Sequence, residues 1–191
     1  MLDRFEIIVL SLERRADRRR RCDEILRGYD YRYYLTRENH SDLWGNASRD
    51  YLKMLSTIED DYAIVFEDDF ELKQDGTFEK AWDQLPDNFD LLYLGANLTT
   101  APQRYSQNLL KLNGAWTVHA LVYSRKFINF ALNNYDYATC GVYDEWLRNM
   151  ARQRDFYMTY PMIAWQRPDY SDFVRSDVNY DLFNNQYYTE L

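Results

Sequence analysis

The most restrictive feature of this chain is an alternation of short apolar runs with segments of helical period. FEIIVLSL (5–12) is apolar and β-branched enough for a buried strand. RADRRRRCDEILRGY (15–29) follows, with Cys22, Ile25 and Leu26 on one helical face and Gly28 as a stop. YDYRYYLT (29–36) reads as a second strand. NASRDYLKMLSTI (46–58) spaces Ala47, Tyr51, Met54, Leu55 and Ile58 as a helix does, with Asn46 as N-cap. YAIVF (62–66) is a third strand, TFEKAWDQL (77–85) a short helix stopped by Pro86, and FDLLYLG (89–95) a fourth strand closed by Gly95. WTVHALVYS (116–124) and DFYMTYPMIAWQ (155–166) read as strands, RKFINFALNN (125–134) and VYDEWLRNMARQ (142–153) as helices.

Strands that alternate with helices imply right-handed βαβ crossovers, hence an α/β fold on a mainly parallel sheet. Ligands of such sheets bind beyond the C-terminal ends of the strands. Two charged stretches fall at that edge: LSLERR after the first strand and Glu67, Asp68 and Asp69 after the third. In an extended segment Glu67 and Asp69 point the same way and Asp68 the other. Such a pair of carboxylates suits a hard divalent cation, but taken alone the three acids read as readily as an exposed turn. Residues 13–21 hold six arginines. Arg14, Arg15 and Arg18, near a helix start, suit phosphate or carboxylate groups; the run also fits a solvated basic face.

A third cluster lies in GVYDEWLR (141–148), where Asp144 and Glu145 sit beside Tyr143 and Trp146. An acid next to an aromatic surface suits a sugar, and an ordinary amphipathic helix with Trp146 in the core accounts for the pattern equally well. Of the two histidines, His119 lies in an apolar strand and His40 in a polar loop. Neither has a Ser or Cys partner in a recognisable nucleophile motif, and the glycine-rich dinucleotide and P-loop signatures are absent.

Composition narrows the classes. The 191 residues, 46% hydrophobic, suffice for one domain and exclude a disordered chain. A net charge of −8 argues against nucleic-acid binding through a general basic surface. Cys22 and Cys140 form no zinc-ribbon or disulfide pattern. The run IIVL is too short for a signal-peptide core or a membrane span, so the expectation is a soluble, cytoplasmic protein.

In this order, IIVLSLERRADRRRR, GNASRDYLKML, YAIVFEDD, FDLLYLG, VHALVYSRKF, VYDEWL and PMIAWQRPDYSDF resemble glycosyltransferase family 25, the lipooligosaccharide and collagen β-galactosyltransferase-like group. The resemblance spans about residues 5–173. It implies a GT-A fold in a single domain, 1–191. A nucleotide-sugar half would cover about 1–95 and an acceptor half about 96–191. It further implies an inverting, metal-dependent transfer from a nucleotide sugar, expected to be a UDP-hexose such as UDP-galactose or UDP-glucose. The acceptor would be a hydroxyl of a glycan or glycoprotein. Glu67 and Asp69 would hold Mn²⁺ or Mg²⁺, with Asp68 near the ribose or donor sugar. Ser11, Leu12, Glu13, Arg14, Arg15 and Arg18 would form the nucleotide rim, and His119 would lie near the site without ligating the metal. Asp144 is the first candidate base and Glu145 the second. The chain departs from the family pattern at Asn46 and Arg49, where members carry Cys and His, and this points to an unusual donor sugar. A metal-dependent phosphohydrolase and a non-catalytic binding module are the alternatives.

Overall fold

The computed structural model describes residues 2–37 and 41–191; His40 lies outside the described residues. The first half runs β1 (Glu6–Leu12), α1 (Ala16–Ile25), β2 (Arg32–Thr36), α2 (Leu43–Leu55), β3 (Tyr62–Glu67), β4 (Phe70–Leu72), α3 (Thr77–Trp82) and β5 (Leu91–Tyr93). Four short strands follow: β6 (Asn97–Leu98), β7 (Gln103–Arg104), β8 (Leu109–Lys111) and β9 (Ala115–Trp116). Then come β10 (Ala120–Ser124), α4 (Arg125–Asn134), α5 (Tyr137–Cys140), α6 (Tyr143–Met150) and β11 (Phe156–Thr159). The chain finishes with β12 (Ala164–Gln166), the hairpin β13 (Asp169–Ser171) and β14 (Ser176–Val178), and α7 (Gln186–Thr189).

Eight strands form the central sheet in the order β2-β1-β3-β10-β5-β11-β8-β7. Only β10 and β8 run against the other six, as their antiparallel ladders to β3, β5, β11 and β7 require. The expected α/β architecture, a mostly parallel sheet flanked by helices, is therefore present. Period-two alternation sends neighbouring residues to opposite faces. Ile8, Val65, Tyr93 and Leu121 pack with Tyr51, Met54, Phe127 and Leu147 of α2, α4 and α6. Ile7, Val9, Ile64, Phe66 and Leu92 pack with Cys22, Leu26, Phe78 and Ala81 around α1 and α3. Phe66 and Phe127 are fully buried, and truncating either to Ala is expected to cost about 3–5 kcal/mol.

Three local readings need correction. The stretch 116–124 is not one strand: β9 ends at Trp116 and β10 begins at Ala120 in a different sheet, so His119 lies between strands. Helix α2 begins four residues earlier than expected: Asp42, not Asn46, is its N-cap and accepts the Gly45 N–H at 3.1 Å. Asn46 lies inside the helix instead, donating to the Arg37 carbonyl and to Asp50. The stretch 155–166 is two strands rather than one. Pro161 has no N–H to give a ladder, and β12 leaves the main sheet to pair with β4. Gly95 makes this turn-off feasible, because a Cβ there would sit 1.9 Å from the Ala164 carbonyl oxygen. Among the described residues no helix is long and apolar enough to cross a membrane.

Candidate active site

A cavity of about 240 Å³ opens at the C-terminal edge of the sheet. Its floor comes from the ends of β1 and β3, through Leu10, Ser11, Leu12 and Glu67 to Asp69, and from Thr117 and Val118 leading into β10. The first turns of α2 and α6 and the β13–β14 hairpin wall it in. Parallel strands all release their chain at this edge, which is why residues remote in sequence meet here.

The expected alternation does not hold in the acidic run: β3 ends at Glu67, Asp68 and Asp69 form a turn, and all three line the cavity. Asp68 is turned inward and satisfied: its Oδ2 accepts from Ser11 Oγ at 2.6 Å and its Oδ1 from Arg18 Nη1 at 2.8 Å. Asp69 Oδ2 reaches the same guanidinium at 3.4 Å, while its Oδ1 is buried with no hydrogen-bond partner. Glu67 also lines the cavity. Burial pushes its carboxyl well above the usual range, and the charges of Asp69, Asp144 and Asp68 push it further. Burial likewise lifts Asp69 to about 6, with Arg18 opposing and Asp68 reinforcing the rise. The cavity is thus lined by Glu67, Asp68, Asp69 and Asp144 with Arg18, and burial favours the protonated forms of Glu67, Asp69 and Asp144.

Arg18 is the organising cation. Beyond the two aspartates, its Nε donates to Asp169 at 3.0 Å and its Nη2 to the Tyr170 carbonyl at 2.7 Å. Burial works against its charge, and Asp69, Asp68 and Asp169 outweigh that penalty. Arg15 is held by Asp17, Asp169 and Asp172, and Arg14 by Asp172. Neither Arg14 nor Arg15 lines the cavity. Their forks clamp the β13–β14 hairpin onto the first loop, and a stack of Trp44 on Phe173, 4.9 Å between centroids, joins it to α2.

The other expected site residues divide. Ser11, Leu12, Arg18, Glu67, Asp68, Asp69 and Asp144 come together at the cavity. Asp144, in the first turn of α6, has its carboxyl raised by burial first and then by the charge of Glu145. Glu145 faces away: Trp116 Nε1 donates to it at 2.8 Å and Arg148 holds its other oxygen. Glu13 is paired with Arg37 outside the cavity. His119 is fully buried behind the wall, and burial lowers its imidazole to about 4, leaving it neutral. Its carbonyl accepts the Glu67 N–H at 2.9 Å, so its backbone anchors the acidic run. Tyr143 and Trp146 are buried in the core, as an amphipathic helix would place them. Asp169 and Asp172 carry no local motif of their own, although they stand in the PMIAWQRPDYSDF segment that bears the family resemblance.

No known family's sequence profile matches the chain. No curated protein matches it in sequence. Among solved structures it is similar to A197 from STIV, at a TM-score of 0.53 and 13% identity, over 91% of this chain and 93% of that one. It is also similar to the inositol-1-phosphate CTP transferase from T. maritima, at 0.48 and 10%, over 81% and 66%. A glycosyltransferase involved in glycosylation of the major capsid of PBCV-1 aligns at 0.41 and 11%, over 76% and 73%. The first likeness spans nearly all of both chains and shows a shared fold.

Proposed function

We propose that the chain is a nucleotide-sugar-dependent glycosyltransferase of the GT-A type, moving a hexose to a hydroxyl of a glycan or glycoprotein. One observation carries this reading: Glu67, Asp69 and Asp144, from two separate elements, face one cavity at the sheet edge with carboxyls raised by burial. Exposed acids on a structural turn would not be driven up by burial in this way.

Glu67 and Asp69 would hold Mn²⁺ or Mg²⁺. The fit rests on their chemistry: hard oxygen donors, a buried Asp69 Oδ1 without a hydrogen-bond partner, and carboxyls raised by burial first and by the charge of neighbouring carboxylates second. Among the described residues no group of three or more His, Cys, Asp or Glu is gathered to hold a metal. The two carboxylates would therefore leave coordination free for a diphosphate, expected to be that of UDP-galactose or UDP-glucose. Such an ion, when bound, neutralises charge on a departing diphosphate.

The chain's own residues do the rest. Asp68, tied to Ser11 and Arg18, fixes the backbone that aims its two neighbours. Asp144 would accept the proton of an acceptor hydroxyl, and burial, which raises its carboxyl, would make it a stronger base. The direct displacement expected of an inverting enzyme needs this one base and no protein nucleophile. A two-metal phosphohydrolase would need a second ligand set, which the absence of any such group among the described residues disfavours. The functional test is release of UDP from UDP-galactose and UDP-glucose with Mn²⁺, with and without a panel of glycan acceptors. Turnover lost in Asp144→Asn supports the transferase; UDP binding with no turnover on any acceptor favours a binding module.

A further inference from the structure

Next to the cavity, on the α6 side, lies a small constellation that the nucleotide-sugar reading does not use. Trp116 ends β9 and is 40% exposed as a residue. The ring is fixed by its Nε1 donating to Glu145 Oε2 at 2.8 Å and by the Arg148 guanidinium 5.3 Å from its centroid. Glu145 and Arg148 are themselves ion-paired across one helical turn. Arg148 Nε and the neighbouring Thr100 Oγ1 have no hydrogen-bond partner. A Cβ on Gly114 would touch both side chains, which shows how closely they gather.

Trp116, Glu145 and Arg148 do not line the cavity themselves, but each of the first two is next in the chain to a residue that does. Trp116 precedes Thr117 and Glu145 follows Asp144, and both Thr117 and Asp144 line the cavity. Thr117 has φ +74°, a left-handed conformation that a β-branched residue adopts only under constraint. The strained turn swings the chain from the exposed Trp116 into the cavity wall within one residue.

We propose that Trp116, Glu145 and Arg148 form a subsite for a neutral saccharide, the part of the acceptor that extends beyond the reacting hydroxyl. The proposal rests on the transferase reading for the word acceptor and on local chemistry for the word saccharide. A sugar ring offers a C–H face that stacks on an immobilised indole, and hydroxyls that use a carboxylate oxygen and guanidinium N–H groups together. The Glu145–Arg148 pair cancels its own charge, so an ionic ligand gains little here and a hydroxylated neutral one gains both an acceptor and a donor. Glu145, expected as the second candidate base, takes a binding role in place of a catalytic one.

The test uses the full chain with lactose, maltose and cellobiose as probes, read by saturation-transfer NMR, alongside thermal stabilisation by UDP with Mn²⁺. The expected result is transfer to sugar-ring protons in the wild type for at least one disaccharide. Transfer should fall about tenfold or more in Trp116→Ala and partly in Trp116→Phe, with UDP stabilisation equal in all three. Trp116→Phe keeps the strand filled and guards against a folding artefact. Undiminished sugar binding by Trp116→Ala overturns the subsite, as does a wild type that binds UDP and none of the three disaccharides. If Trp116→Ala abolishes sugar binding and UDP stabilises no variant, the subsite stands and the transferase reading falls.

Discussion

Arg18 and Asp68 meet at 2.8 Å with side chains only 9% and 8% exposed, tying α1 to the end of β3. Because Arg18 also serves Asp69, Asp169 and the Tyr170 carbonyl, its removal takes the donor from several partly buried acceptors at once. Arg18→Ala is expected to destabilise the fold by about 3–5 kcal/mol, read by urea unfolding. Arg18→Lys should recover little of that loss, since one ammonium cannot span partners that the guanidinium reaches with three nitrogens. A loss under about 1 kcal/mol in Arg18→Ala would mean that the pair is not an organising contact.

Asp69 gives a pH signature. Its folded-state value is about 6, against an ordinary 3.8, so the folded protein holds this proton more tightly than the unfolded chain. The stability it contributes is fully present below about pH 4 and is lost as pH rises through about 6. By the usual conversion of about 1.4 kcal/mol per pH unit, the loss is at most about 3 kcal/mol. In chelator, Asp69→Asn should therefore be more stable than wild type at pH 7 and no more stable at pH 4. Melting curves at the two pH values decide it; a variant less stable at pH 7 contradicts the electrostatic assignment.

Much of this arrangement was legible in the sequence, and the reasons differ by residue. The strand of 62–67 and the helix bearing Asp144 announce themselves by local period, which depends only on neighbours in the chain. The side each acid takes was not legible: the chain turns after Glu67, so Asp68 lines the cavity with Glu67 and Asp69 where an extended run would have turned it away. Nor were the partners of the arginines. Asp169 and Asp172 lie more than 150 positions from Arg15 and Arg18 and meet them only because the last hairpin folds back over the first loop. Glu145 illustrates the same limit: its position beside Asp144 says nothing of which way it turns, and Trp116, 29 residues earlier, decides that. The departure at Asn46 also became readable only in three dimensions, because Asp42 captured the helix start.

Asp144 separates chemistry from binding. Asp144→Asn keeps the shape of the side chain and removes the base. UDP release in the presence of acceptor should fall about 10²–10⁴-fold while UDP affinity stays within about twofold. Steady-state kinetics and a UDP titration on the same preparation measure both. Parallel loss of turnover and affinity would make Asp144 a binding residue.

Gly95 tests the packing behind the site. Its Cβ position collides with the Ala164 backbone, which cannot swing away as a side chain would. Gly95→Ala should cost about 3 kcal/mol or more. Gly28→Ala, at φ +94° with nothing within 4 Å, should cost only about 1–2 kcal/mol from backbone strain. Equal losses from the two substitutions would contradict the close approach of β12 to the end of β5.

The central claim is that the acidic run serves a cation shared with a nucleotide diphosphate. The most direct measurement is thermal stabilisation of the wild type and Asp69→Ala by UDP, by Mn²⁺, and by both together. The account predicts that UDP with Mn²⁺ raises the wild-type melting temperature well beyond the sum of the separate effects, and that Asp69→Ala abolishes this synergy. A wild type indifferent to UDP and to other nucleoside diphosphates, with or without Mn²⁺, would contradict it.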